Sequence, residues 1–218
     1  MEATFRYFDP WEPVRIYECN LPHWRQPGAL YFVTFRLGDS LPQAAVEQMA
    51  FERRKWLRAH GLKTEDDLEN LPASKRRQFF RHFNAKFHEW LDAGHGACWL
   101  RQPAIASVVA GALHHFDGQR CALGEYVVMP NHVHALVAPT PGRSIEDLLH
   151  SWKGFAGHEA NGLLGRTGAF WQKESYDHIV RSPAQLGHYR EYIASNPEWA
   201  RLRAGEFVLG AGTLKDVQ

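Results

Sequence analysis

Fourteen consecutive residues decide the fold: they run from position 125 to position 138 and read EYVVMPNHVHALVA. Residues 125–129 are rich in β-branched side chains and predict a strand. Pro130 fixes one backbone dihedral and Asn131 tolerates unusual ones, so these two residues predict a tight turn. Residues 132–138 predict the returning strand. The stretch as a whole therefore predicts a β-hairpin with histidines at its mouth.

The hairpin carries a His-x-His pair, His132 and His134. Residues two apart on a strand point to the same face, so both imidazoles can converge on one cation. Two neutral imidazoles leave coordination positions for water, a third ligand and a phosphate oxygen. Thirteen histidines in 218 residues give about one such pair by chance, so the pair is also compatible with two structural polar residues.

A late helix supplies candidate partners for the histidines. Tyr192 and Asn196 are four residues apart and share a helical face. A tyrosine oxygen close to a metal-bound phosphate can act as a nucleophile, and the amide oxygen of Asn196 can act as a third metal ligand. Tyr189 is the second candidate nucleophile, and His188 is the alternative third ligand.

The surrounding pattern predicts an α+β fold. A buried strand is expected at 29–37, helices at 43–60, 64–90, 103–116 and 144–161, an interrupted strand at 170–181, and a last helix from Ser182-Pro183 that stops before Pro197. This order predicts one domain over 1–218, with a ferredoxin-like antiparallel sheet and helices on one face. Residues 43–92 are expected to form an inserted helical lobe, and residues 205–218 a flexible tail.

Composition predicts a folded globular chain, because 44% of the 218 residues are hydrophobic and 22% are charged. Three widely spaced cysteines argue against a disulfide framework and favour the cytoplasm. No signal peptide or apolar run of membrane-spanning length is expected, so a membrane partner is excluded. The net charge is only +1, so any nucleic-acid surface must gather cations on one face. The candidates nearest the predicted site in sequence are Lys153, Arg166, Lys173, Arg181 and Arg190.

Several motifs in this order resemble a known family. They are MPNHVH at 129–134, YIASNP at 192–197, YFVTFRL at 31–37, SWK at 151–153 and FWQKE at 170–174. Together they resemble the single-tyrosine HUH transposases, and they are most similar to the REP-associated tyrosine transposases. The resemblance covers the chain from about residue 21 to residue 196.

The resemblance implies a DNA-cleaving and rejoining enzyme. In that family two histidines bind a divalent metal, taken as Mg²⁺ or Mn²⁺, and a tyrosine attacks the scissile phosphate to leave a 5′-phosphotyrosine link. The substrates are single strands folded as hairpins, such as repetitive extragenic palindromes (REPs). By position, His132 and His134 match the metal ligands, Tyr192 the nucleophile and Asn196 the third ligand. Both homodimers and monomers are compatible with the resemblance.

Three other functions remain open from the sequence. The first is a hairpin-binding module or regulator that does not cleave. The second is a metal hydrolase in which His132 and His134 activate water, so that Tyr192 is dispensable. The third is a replication or conjugation nickase of the wider HUH group.

Overall fold

The computed structural model describes residues 5–18 and 22–215. The elements in chain order are β1 (Arg15–Glu18), β2 (Pro22–Arg25), β3 (Tyr31–Arg36), α1 (Gln43–Ala59), α2 (Ala73–Asp92), α3 (Pro103–His115), β4 (Cys121–Val128), β5 (His132–Pro139), α4 (Ile145–Leu163), β6 (Tyr176–Ile179), α5 (Pro183–Trp199) and β7 (Val208–Ala211). Short 3-10 helices span Asp66–Asn70 and Trp99–Arg101.

Two compact units divide the chain: one contains the residues up to Gly38 and from Cys98 onward, and the other is Asp39–Ala97. The second unit contains α1 and α2. Its core is built by Leu57, Phe79 and Phe83, and the guanidinium of Arg53 lies 5.4 Å from the centre of the Phe83 ring.

The larger unit is organised around a five-stranded antiparallel sheet with the order β6-β3-β5-β4-β7. The predicted hairpin forms its centre: Val128 pairs with Val133, and the Met129 N–H donates to the His132 carbonyl over 2.8 Å. A separate pair of strands, β1 and β2, forms a second small sheet. The α+β class with an antiparallel sheet is therefore confirmed.

Helices cover both faces of the main sheet. Val133, Ala135 and Val137 of β5 pack with the apolar side chains of α3 and α4. Leu136 belongs to the opposite face, which is covered by Leu186 and Ile193 of α5. The prediction of helices on one face thus holds for α3 and α4 and is wrong for α5. Successive residues of β5 point to opposite faces, and each face carries apolar side chains, so both faces need a helical cover.

Helix α5 begins where the sequence predicts and ends later. The Ser182 hydroxyl accepts from the Gln185 N–H at the first turn, and Pro183 occupies the first helical position. The helix does not stop before Pro197 but includes it and runs to Trp199. Proline removes one N–H from the interior, and the Pro197 carbonyl is used by the Leu202 N–H at 2.9 Å.

The chain after position 205 is not a flexible tail up to residue 215, which corrects the prediction. Val208–Ala211 pair with β4 as an edge strand, and the Leu214 N–H donates to the Leu123 carbonyl at 2.8 Å. The predicted tail also included residues 216–218, which lie outside the described residues. Among the helices described, none is long and apolar enough to cross a bilayer.

Candidate active site

The two hairpin histidines point to the same face of the sheet, the face covered by α5. Their Nε2 atoms lie 2.9 Å apart, and both residues are fully buried. Two ligands in adjacent positions about 2.1 Å from one ion, with an angle of about 90° between them, are separated by about 3.0 Å. The spacing of the two Nε2 atoms therefore fits two ligands of one divalent cation.

The second ring nitrogen of each histidine has its own partner. Asn131 Oδ1 lies 2.7 Å from His132 Nδ1, and Thr34 Oγ1 lies 2.7 Å from His134 Nδ1. An amide oxygen only accepts, so His132 carries its proton on Nδ1 and presents a lone pair at Nε2. The two Nε2 atoms can then share either one proton, carried by His134, or one cation that both of them bind. Such partners on the far ring nitrogen are typical of metal-binding histidines.

Helix α5, which covers the face of the sheet to which the two histidines point, brings a tyrosine to this pair. The Tyr192 hydroxyl oxygen lies 3.4 Å from His134 Nε2, and the two rings meet edge-on with centroids 5.1 Å apart. Tyr192 is half-buried, so the residue is not sealed off from solvent as the two histidines are. A cation at the Nε2 atoms would lie close enough to this oxygen for one phosphate group to contact both.

The two candidate third ligands differ in burial. Asn196 is fully buried one turn beyond Tyr192 on α5, whereas His188 is exposed. The His188 ring has its centroid 5.8 Å from that of Tyr189. Because Asn196 is buried and follows Tyr192 by one turn of α5, its position favours it over His188 as the third ligand.

Tyr189, the second candidate nucleophile, has a packing role. Its ring stacks on Phe32 with centroids 4.2 Å apart and planes within 7° of parallel. Burial is the main cause that raises the pKa of the Tyr189 phenol far above its ordinary value, and the nearby Tyr176 adds to this. A phenol that resists ionisation is a poor nucleophile, so the geometry favours Tyr192.

The predicted DNA-contacting cations do not lie together. Lys153 Nζ donates to the Lys173 carbonyl at 2.8 Å and to Ser175 Oγ at 3.1 Å, beside the end of β3. The Lys173 side chain is exposed on the same segment. Arg166 turns back onto the Ala169 carbonyl at 3.3 Å.

The other two cations are engaged elsewhere. Arg190 Nε lies 2.7 Å from a carboxylate oxygen of Glu125, in the middle of the sheet. Arg181 lies over the rings of Phe8 and Trp24, 5.4 and 5.5 Å from their centres. It follows β6, whose last residues pair with the start of β3, so it lies at the opposite end of the sheet from His132.

Sequence reasoning missed two residues that support the histidines, Thr34 and Asn131. Thr34 is a polar residue between the apolar Val33 and Phe35, and it is buried to 2% exposure opposite His134. Its hydroxyl was the available signal, because a buried polar group needs a hydrogen-bond partner. Asn131 was assigned to the turn alone, although its side chain also bonds to the neighbouring histidine.

Comparisons with known proteins give one family match and two similar solved structures. The family model described as IS200-like transposase matches residues 104–196. A solved REP-associated tyrosine transposase bound to a REP hairpin is similar to this chain, with 16% identity, a TM-score of 0.39, and coverage of 82% of this chain and 74% of that one. A crystal structure from Deinococcus radiodurans R1, named as a transposase, is 14% identical with a TM-score of 0.27, covering 77% of this chain and 89% of that one.

No curated protein matches the chain. The family model, by contrast, spans α3, the histidine hairpin, α4 and α5 as far as Asn196. The transposase resemblance read from the sequence is therefore confirmed over residues 104–196, which match the family model described as IS200-like transposase.

Proposed function

We propose that this chain is a transposase-type enzyme that cleaves and rejoins single-stranded DNA at hairpins formed by palindromic repeats. Tyr192 is the nucleophile, and His132, His134 and Asn196 hold a divalent cation, Mg²⁺ or Mn²⁺. The observation that carries the proposal is the cluster of three atoms: the Tyr192 oxygen, His134 Nε2 and His132 Nε2, at successive separations of 3.4 and 2.9 Å.

The reaction transfers the scissile phosphate from a 3′-oxygen to the Tyr192 oxygen, and the new phosphotyrosine bond conserves the energy of the phosphodiester bond that breaks. The Tyr192 oxygen attacks phosphorus, and the bond from phosphorus to the 3′-oxygen breaks. The phenolic proton leaves to solvent or a base, and the departing 3′-oxygen takes up a proton. The products are a 5′-phosphotyrosine link and a free 3′-hydroxyl, and a 3′-hydroxyl can attack the link in the reverse sense to reseal a strand.

The bound cation would supply charge neutralisation at the phosphate, which otherwise repels an incoming oxygen. The protein supplies the fixed geometry. Asn131 and Thr34 hold the two imidazoles, and α5 holds the phenol against His134. Because these groups are ordered before substrate binds, little reorganisation is required during the reaction.

The proposal of a hairpin substrate rests on the resemblance of the motifs at 129–134 and 192–197. The family match of residues 104–196 supports the proposal that the chain acts as a transposase. We place the reaction in the cytoplasm, consistent with the free thiols of Cys98 and Cys121.

A covalent-capture assay tests the proposal. Labelled single-stranded hairpin oligonucleotides taken from repeats around the gene are incubated with Mn²⁺ or Mg²⁺ and run on a denaturing gel. Wild type and Tyr189→Phe should give a metal-dependent protein–DNA adduct. Tyr192→Phe should give none, because the attacking oxygen is gone, and His132→Ala should give little.

Two outcomes would contradict the proposal. Cleavage that survives Tyr192→Phe would indicate a hydrolase with water as nucleophile. Tight hairpin binding with no adduct in any protein, alongside an active control transposase, would indicate a binding module or regulator.

A further inference from the structure

Helix α5 ends on a tryptophan that lies beside the candidate nucleophile. Trp199 is the last residue of α5 and follows Tyr192 by two helical turns, so the two side chains share a face of the helix. Two turns rise about 10 Å along the axis. The ring centroids are nevertheless only 5.7 Å apart, with 55° between the planes, so the side chains lean along the helix toward each other. The indole therefore borders the phenol that carries the attacking oxygen.

Two other aromatic rings contact Tyr192, and both are buried. The rings of His134 and Phe32 have their centroids 5.1 and 6.0 Å from that of Tyr192, and these residues are 0% and 1% exposed. Trp199, in contrast, is 57% exposed. Of these three neighbours of the phenol, Trp199 is thus the one that offers aromatic surface to an incoming ligand.

Burial also separates Trp199 from tryptophans that build the core. Trp152 and Trp171 are 1% and 7% exposed, and both pack in the apolar cluster of α3 and α4. Indoles in such a cluster stabilise the fold through the large apolar area that they bury. Trp199 leaves more than half of its surface in water, so the fold uses only part of its large ring.

The substrate of the proposed reaction contains a ligand that matches this surface. A phosphate held between Tyr192 and the cation belongs to a single strand, and the nucleotides on its two sides carry unpaired bases past the neighbouring side chains. Unpaired bases have free π-faces, which stack on aromatic side chains with little dependence on sequence. The bases of a duplex stem are already stacked on one another, so the matching ligand is an unpaired base next to the scissile phosphate.

We propose that Trp199 stacks on a nucleobase that flanks the scissile phosphate and thereby positions this phosphate for attack by the Tyr192 oxygen. The contact rests on the proposed function and deepens it, because it specifies how the strand is held beside the nucleophile. The sugar joins the base to the phosphate, so fixing the base restricts the phosphate to the neighbourhood of the phenol. Stacking on an indole neutralises no phosphate charge, so the contact adds affinity without adding to the salt dependence of binding.

The test measures binding of the hairpin oligonucleotide by fluorescence anisotropy without metal, with each unpaired nucleotide replaced in turn by an abasic one. At one position next to the cleavage point, the abasic substitution should weaken binding to wild type about tenfold, which is typical of one stacked base. The same substitution should hardly affect Trp199→Leu, because the stacking partner is already absent. Trp199→Phe should keep most of the effect, since it retains an aromatic face. The salt slope of Trp199→Leu should equal that of wild type.

Phe155→Leu is the matched control. Phe155 is 56% exposed, and it lies on α4, which covers the face of the sheet opposite α5. This variant should bind intact and abasic oligonucleotides like wild type. The rate of adduct formation with Mn²⁺ should fall about tenfold in Trp199→Leu and largely recover in Trp199→Phe. Urea unfolding of both leucine variants checks that the fold is retained.

The abasic comparison distinguishes a base contact from packing on Tyr192. Equal losses in wild type and Trp199→Leu at every abasic position would refute the stacking contact, and slower adduct formation in Trp199→Leu would then reflect packing alone. If wild type forms the adduct in that case, the proposed function stands. If wild type binds DNA without an adduct, the proposed function fails, whereas an abasic position to which wild type responds and Trp199→Leu does not would still establish stacking on an unpaired base.

Discussion

Replacement of Thr34 by valine tests whether the buried hydroxyl tunes the cation site. Thr34 is 2% exposed, and its Oγ1 lies 2.7 Å from His134 Nδ1. Valine has nearly the same shape and favours strands, so the change removes one hydrogen-bonding atom and keeps the packing. With a cation at Nε2, the proton of His134 must lie on Nδ1, where Thr34 accepts it.

The magnitude follows from how this bond changes on cation binding. A neutral hydrogen bond contributes about 1 kcal/mol net, and a bond to a charged partner is about twice as strong. In the free protein, with its proton on Nε2, His134 accepts a neutral hydrogen bond from the Thr34 hydroxyl at Nδ1. Coordination at Nε2 moves the proton to Nδ1 and makes that N–H more acidic, so the bond between His134 and Thr34 strengthens when the cation binds. Thr34→Val loses the stronger bond in the bound state and the weaker one in the free state. The difference is about 1 to 1.5 kcal/mol, or about tenfold in cation affinity.

Calorimetric titration with Mn²⁺ measures this change directly, and the Mn²⁺ concentration that gives half-maximal adduct should rise by the same factor. The adduct yield at saturating Mn²⁺ should stay close to that of wild type, because Tyr192 and both histidines remain. Thr34→Ser is the control: it keeps the hydroxyl and should bind Mn²⁺ like wild type. An unchanged Mn²⁺ affinity in Thr34→Val, with unaltered unfolding, would show that the Thr34 bond does not tune the cation site.

Three further predictions concern other parts of the larger unit. Lys153 is a predicted DNA contact, and binding a phosphate favours its charged form; because burial is the main cause that lowers its pKa, to about 8, hairpin affinity measured by fluorescence anisotropy should fall through pH 8 and be about tenfold weaker at pH 9 than at pH 7, with no such loss for Lys153→Arg. Asn196→Ala should lower Mn²⁺ affinity in calorimetry, whereas an equal loss in His188→Ala would assign the third ligand to the exposed histidine instead. Gly154→Ala on the open side of α4 should stabilise the protein by about 0.5–1 kcal/mol in urea unfolding, whereas Gly157→Ala should gain less or lose stability, because its new Cβ would lie 3.3 Å from a buried indole; equal gains would contradict this packing.

Local pattern alone predicted the elements that build the site. The apolar stretch around Pro130 specified a hairpin, and the two histidines two residues apart had to share a face of it. Ser144 and Ser182 marked the starts of α4 and α5, and both hydroxyls accept from a backbone N–H at the first turn. These features depend on residues within one or two turns of each other, so the sequence contains the whole physical cause.

Long-range pairing decided the rest. The sheet register aligns Thr34 and Arg36 with histidines about a hundred positions later, and no local periodicity encodes that alignment. The apolar second face of β5 draws α5 across the sheet and brings Tyr192 to within 3.4 Å of His134 Nε2, whereas the sequence predicted helices on one face only. Val208–Ala211 became an edge strand because β4 offered unpaired backbone groups, which the composition of the segment after position 205 does not reveal. The sequence by itself thus predicted which residues on each element could carry chemistry, and the tertiary structure decided which of them meet.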